Sequence, residues 1–490
     1  MGDSAMAETL HLAEASIAEL SAAMADGTLT AEALTSFYLE RIAQIDKQGP
    51  KLNAVLEVNP DALFIARALD RERELSGPRG PLHGIPVLLK DNIDTADKLH
   101  TSAGSLALAG SYALKDSFVA DALRKAGAVI LGKANMTEWA NFMANNMPSG
   151  YSSRGGQVIN PYVATHTPGG SSSGPGVAVA AGLCAAAIGT ETSGSILDPA
   201  SENSVVGIKP TVGLISRTGI IPIAMSQDTA GPMARTVADA AILLGALTGI
   251  DPADPATAAS ADRAYEDYTV FLDRRGLRGA RLGVVRHYGH EGLSDAEQHL
   301  FDAALDVLRA QGAELVDPAD LPSVGEKGWR SRVLVHEFKP ALNSYLASLG
   351  PAAPVRTLAD VIAFNTAHAD RCLVHGQAVL ESSEATSGTL TEPEYLNSRL
   401  EDIRRAGAEG IDAVLAQERL DALVFPGSWG CWVAARAGYP SVCVPAGYMP
   451  DGVPMGLTFT GTAWSEGALI RLAYGFEQAT LLRREPSLVG

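Results

Sequence analysis

Positive charge is scarce in this chain. Across 490 residues, 38 Lys and Arg stand against 56 Asp and Glu, a formal net charge of −18. A surface that acidic repels phosphate, which argues against nucleic acid and anionic membranes as partners. Cysteine is scarcer: Cys184, Cys372, Cys431 and Cys443 form no CxxC pair, so neither a disulfide framework nor a thiolate zinc site is indicated, and each reads as a small buried hydrophobe. Long apolar runs are missing too. The most apolar stretch, Gly176 to Gly189, is shorter than the roughly 20 residues of a membrane span and is built from small side chains, which predicts a buried helix. The first residues lack the basic start and apolar core of a secretory signal, so a cytoplasmic protein is expected.

Familiar signatures are absent as well. No glycine-rich loop ends in GK[ST], and no GxGxxG opens a helix after a strand, which removes the usual nucleotide and dinucleotide sites. His336 and Glu337 begin like a zincin helix, but Pro340 occupies the place of the second histidine. His287 and His290 lie near each other without a third ligand and read as surface residues. No lysine has a serine three positions before it, so the SxxK arrangement is missing. Neither a metal nor a cofactor is expected.

What is present is core material: 46% of the residues are hydrophobic and 19% charged, enough to bury one large α/β domain or two to three smaller ones. Ser16 with Glu19 forms a capping box, Gly27 a stop and Thr30 the next cap, ahead of an apolar stripe at Leu34, Tyr38, Ile42 and Ile45. Short apolar runs then alternate with helical patterns, which predicts strands covered by helices. The run 251–262 (DPADPATAASAD) reads as an exposed crossing, after which a helix capped by Ser294 with Glu297 resumes the rhythm. Residues from about 329 to 420 are helical in pattern and predict an insertion or cover over one sheet. We expect a flexible segment over 1–15 and a single domain over 16–490.

Two serine clusters carry the chemical interest. Gly170-Ser171-Ser172-Ser173-Gly174 satisfies GxSxG, but the nucleophile elbow needs a buried strand before the serine, and residues 160–170 hold two prolines and almost no apolar run. The second cluster, residues 189–196 (GTETSGSI), leaves an apolar stretch through small residues and turns before Pro199. Backbone N–H groups pointing outward there would hold an oxyanion beside Ser195. Taken alone, the segment is equally a plain Ser/Gly turn.

Its company carries a resemblance. PGGSSSG at 168–174, GTETSGSI at 189–196, VVGIKPTVGLISRTGIIP at 205–222 and SQDTAGPMARTVADAA at 226–241 resemble the amidase signature family, as do GIPVLLKDNID at 84–94 and AVILGKANMTEWA at 128–140. The likeness runs from about residue 15 to 480 and is strongest over 80–245. It implies a central mixed, twisted sheet of about eleven strands with helices on both faces. It also implies a Ser-cisSer-Lys triad on Ser195 as nucleophile, Ser171 as bridge and Lys90 as terminal base. The implied oxyanion hole is the main chain of Thr192, Ser193, Gly194 and Ser195. Ser172, as a partner of Lys90, and Asp228, as an acceptor that orients nearby turns, are supporting candidates. The run NNMPSGYSSRGGQVINPY at 145–162 is most similar to the peptide amidase branch, which removes ammonia from C-terminal peptide amides. Other amidases and esterases of the family, the glutaminase subunit of a tRNA-dependent amidotransferase and a non-catalytic binding protein on this fold are the alternatives.

The chemistry stands without the family. A serine hydroxyl needs its proton removed, and with no positioned histidine in view a neutral lysine is the available base. A lysine ending the apolar run Ile85 to Leu89 is desolvated, which disfavours its ammonium form; a salt bridge to Asp91 or Asp94 is the competing arrangement. Trp429 and Trp432 flank the turn after Phe425 and read as substrate-pocket walls or as core packing. The expected substrate is a small-molecule or peptide amide, handled by a monomer or homodimer. Pro175, Ser193, Asp198 and Ser204 depart from the family pattern around the turn and its support, which puts the leaving-group preference in doubt.

Overall fold

Local capping chemistry fixes the first helices. In the computed structural model, which describes residues 10–287, 292–324 and 329–488, Ser16 and Glu19 cap Ile17–Ala25 reciprocally and the Thr30 hydroxyl caps Ala31–Arg41. Leu34, Tyr38 and Ile42 form a buried stripe. Ser294 and Glu297 repeat the capping box on Asp295–Ala310. Of the segment 1–15, residues 1–9 lie outside the described residues, while Ala13 and Ala15 are buried.

The strands follow the apolar runs. They are β1 (Val55–Val58), β2 (Pro86–Lys90), β3 (Val129–Ala134), β4 (Tyr151–Ser152), β5 (Gly156–Gln157), β6 (Ala186–Glu191), β7 (Val206–Lys209), β8 (Thr229–Ala234), β9 (Arg281–Val284), β10 (Glu314–Val316), β11 (Ala422–Pro426), β12 (Ser441–Tyr448) and β13 (Pro454–Thr460). Eleven make one mixed sheet in the order β1-β3-β2-β6-β8-β7-β12-β13-β11-β9-β10, and β4 pairs with β5 apart from it. β2 runs parallel to β3 and β6, whereas β8 is antiparallel to β6 and β7. β2, β3, β6 and β8 are buried along their whole lengths, the signature of strands covered on both faces.

Two expectations change. The stretch Gly176 to Gly189 is not one helix: the helix Ser173–Ala180 ends before Gly182, which takes φ +62°, and the remainder becomes β6. Uniformly small apolar side chains carry no period, so the left-handed glycine decides where the helix stops. Pro175 is tolerated because it lies in the helix's first turn, where its missing N–H is not needed. The run 251–262 is also less exposed than its composition suggests, because the buried carboxylate of Asp254 pairs with the Arg217 guanidinium and Thr257 and Ser260 are buried.

Between Val333 and Glu418 every described element is helical. These helices bring Phe338, Leu342, Leu346 and Leu358 against Met136, Trp139, Ile221 and Ile223, an apolar cluster separate from the core along the sheet. No described helix is long and apolar enough to cross a membrane.

Candidate active site

The parallel strands β2 and β6 deliver Lys90 and Thr190 side by side. Lys90 is wholly buried, and its Nζ lies 2.8 Å from Ser171 Oγ, 3.1 Å from the Thr190 carbonyl and 3.0 Å from Thr190 Oγ1. Burial lowers its pKa to about 7, against the opposing pull of the Glu191 and Asp228 charges. The competing salt bridge is not made: Asp91 accepts from Ser102, the Gly104 N–H and Arg154, and Asp94 accepts from the Tyr345 hydroxyl. Thr190 Oγ1 also accepts from Asn92 Nδ2 at 3.0 Å, which fixes its orientation.

Ser171 follows a cis peptide bond from Gly170 and is wholly buried. Thr137 N–H donates to the Ser171 carbonyl at 3.1 Å, and Ser172 N–H donates to the Ser195 carbonyl at 3.1 Å, which ties the two serine segments together. The Ser172 hydroxyl corrects the expectation placed on it: it donates to the Thr190 carbonyl at 3.1 Å and accepts the Thr190 N–H at 3.3 Å, rather than meeting Lys90. Sequence reasoning missed Thr190 in this place, although it lies inside the quoted run 189–196.

The turn that presents Ser195 is organised by a carboxylate. Buried Glu191 accepts the N–H groups of Gly194 at 2.8 Å, Ile196 at 2.7 Å and Leu197 at 3.0 Å. The Gly194 N–H is therefore engaged and leaves the expected oxyanion set, because a donor already bound to a charged acceptor is not open to a second anion. The N–H groups of Thr192, exposed Ser193 and Ser195 donate to no acceptor among the described residues. Asp228 accepts the Thr192 hydroxyl at 2.5 Å and the Ile223 and Ala224 N–H groups at 2.8 and 3.0 Å, and burial raises its pKa to about 6.

Trp429 and Trp432 line a cavity of about 420 Å³ together with His166, Asp198, Ser428 and Cys431. A Cβ on Gly194 would meet Cys431 Sγ at 2.9 Å, so Cys431 stands between this cavity and the serine turn, while Thr190, Glu191, Thr192 and Asp228 line a separate recess with Asn92, Arg217 and Ile221. Trp432 also packs its ring 5.3 Å from Trp329, with the Arg436 guanidinium 4.7 Å above it, so wall and packing roles coincide. Ser204 adopts φ +51°, the region that favours glycine, and its hydroxyl pairs with that of Tyr448 at 2.9 Å. His287 pairs with Asp320 at 2.8 Å, and His290 lies outside the described residues. No three His, Cys, Asp or Glu side chains among the described residues converge to hold a metal ion.

Comparison with known proteins agrees with this architecture. A family model described as Amidase matches residues 33–470. The X-ray structure of native peptide amidase from Stenotrophomonas maltophilia is similar at 50% identity with a TM-score of 0.91, covering 98% of this chain and 99% of that one. A probable amidase of Arabidopsis thaliana is 44% identical over 494 residues, covering 99% of this chain and 93% of that protein. A subunit of the glutamyl-tRNA(Gln) amidotransferase from Halorhodospira halophila is 34% identical over 502 residues, covering 95% of this chain and 97% of that protein.

Proposed function

This chain belongs to the amidase signature family and is an amide-hydrolysing enzyme, and from that premise we propose that it deamidates C-terminal peptide amides through an acyl-enzyme on Ser195. The observation that carries the reading is the contact between buried Lys90 Nζ and Ser171 Oγ at 2.8 Å, at the place where Ser172 ties that segment to Ser195. A neutral amine has two hydrogens and one lone pair. Donation to the Thr190 carbonyl and Thr190 Oγ1 uses both hydrogens and leaves the lone pair for the Ser171 hydroxyl proton.

In this mechanism Ser171 passes its proton to Lys90 and takes the one from Ser195 as the Ser195 oxygen attacks the amide carbonyl. The developing oxyanion is met by the N–H groups of Thr192, Ser193 and Ser195, in a turn that Glu191 and Asp228 already hold. The same chain of hydroxyls returns a proton to the nitrogen, ammonia departs, and water hydrolyses the ester on Ser195. The acyl part of the substrate occupies the cavity walled by Trp429 and Trp432.

The test is a panel of blocked peptide amides, anilides and free glutamine, assayed for ammonia or aniline release with the wild type and Ser195→Ala. Peptide amides are turned over by the isolated chain, and Ser195→Ala lowers kcat by about 10⁴-fold or more. Turnover of anilides or glutamine without peptide amides sinks the substrate assignment, and an active Ser195→Ala sinks the mechanism.

A further inference from the structure

The two serine-bearing turns need a fixed spacing if a proton is to cross between them, and one residue touches both. The Asp198 N–H donates to the Gly194 carbonyl at 2.7 Å, immediately before Ser195. Its carboxylate accepts the Gly170 N–H at 2.9 Å, immediately before Ser171. The other carboxylate oxygen accepts from Ser428 Oγ at 3.1 Å, which anchors the bridge to the turn after β11. Close approach of the two segments is built in: a Cβ on Gly169 would meet Pro199 Cα at 2.7 Å.

We propose that Asp198 is a positioning residue for amide hydrolysis, clamping the Gly170–Ser171 and Gly194–Ser195 turns in register so that the bridging and nucleophilic hydroxyls align. The inference rests on the reading of Ser171 and Ser195 as bridge and nucleophile. The backbone half of the clamp survives any side-chain change, because it is the Asp198 N–H. The side-chain half is what a substitution removes, and a displacement on the order of 1 Å in reacting geometry costs about 100-fold in rate.

Asp198 also lines the 420 Å³ cavity, so the experiment must separate alignment from substrate contact. Wild type, Asp198→Ala, Asp198→Asn and Ser195→Ala are compared by kcat and KM on one peptide amide, and by the rate at which a small fluorophosphonate labels Ser195. Asp198→Ala lowers kcat and the labelling rate together by about 30- to 100-fold, with KM within about twofold of wild type. Asparagine retains an oxygen for the Gly170 N–H and an amide for Ser428, so Asp198→Asn restores both rates to within about fivefold of wild type. Should Asp198→Ala not fold, Asp198→Ser, whose hydroxyl is too short to reach Gly170, takes its place in the comparison. A raised KM with unchanged labelling overturns the clamp in favour of substrate contact. An Asp198→Asn no better than the truncated variant also overturns it. An active, labelled Ser195→Ala instead overturns the nucleophile assignment on which the inference rests.

Discussion

Lys90 and Lys133 occupy neighbouring parallel strands, both are wholly buried, and their surroundings make them different chemical objects. Lys133 Nζ donates to the Ile93 carbonyl at 2.6 Å and to Thr101 Oγ1 at 2.8 Å, within the fields of Asp91, Asp94, Asp97 and Glu57. Burial lowers its pKa, and those four carboxylates oppose the shift. Lys90 faces a serine hydroxyl, a threonine hydroxyl and a carbonyl, with only Glu191 and Asp228 supplying opposite charge, and its pKa falls to about 7. Burial alone does not make a base. Both amines meet neutral partners, so what separates them is the surrounding charge: four carboxylates favour the ammonium form of Lys133 and two that of Lys90.

Removing each amine is the sharpest way to break this comparison. Lys90→Met lowers kcat by about 10³- to 10⁴-fold, the range of a lost general base, while the folded protein gains about 1–3 kcal/mol because an amine held against its solvation preference is gone. Urea unfolding and peptide-amide turnover on the same preparation check both halves. Lys133→Met does the reverse: it removes a positive charge that Asp91 and Asp94 feel, strands the Ile93 carbonyl, and lowers stability by about 1–3 kcal/mol. The folded fraction keeps the wild-type pH profile. If Lys90→Met is the less stable of the two variants, the distinction between the two lysines is wrong.

Local signals carry much of this in the sequence. The capping boxes of Ser16 with Glu19 and Ser294 with Glu297 span three residues, so adjacent letters specify them. Lys90 ends an apolar run, which makes its burial readable before any contact is known. Contacts across the fold are not readable. Ser172 and Thr190 are both hydroxyl residues inside motifs, and only the pairing of β2 with β6 decides that Thr190 meets Lys90. The order of the eleven strands is closed to periodicity for the same reason, since a strand's pattern shows that it is buried and not beside which neighbour. Gly194 falls out of the expected oxyanion set because its donor belongs to a carboxylate three residues upstream, and a motif reading treats every N–H of a turn as free. Gly176 to Gly189 divides into helix and strand where one helix is expected, because alanine and glycine leave no period by which the two separate.

The smallest effect tests the electrostatic half of the comparison. On the proposed mechanism activity requires neutral Lys90, so it is expected above the lysine's pKa and is lost as pH falls through about 7. The Asp228 charge favours the protonated amine, and because burial raises its own pKa only to about 6, it is ionised where Lys90 titrates. Asp228→Asn removes that charge, so the neutral amine persists to lower pH and the acid limb of kcat moves down by about half a unit to one unit. The direction is opposite to what loss of a buried acid usually suggests, since a group that must be deprotonated for catalysis is helped rather than harmed. Thr192 keeps a partner in the asparagine side chain, so the plateau rate falls less than in Lys90→Met. A limb that stays in place means the lysine does not feel this carboxylate. A limb that moves up means the titrating group is not Lys90, and the contrast with Lys133 loses its basis.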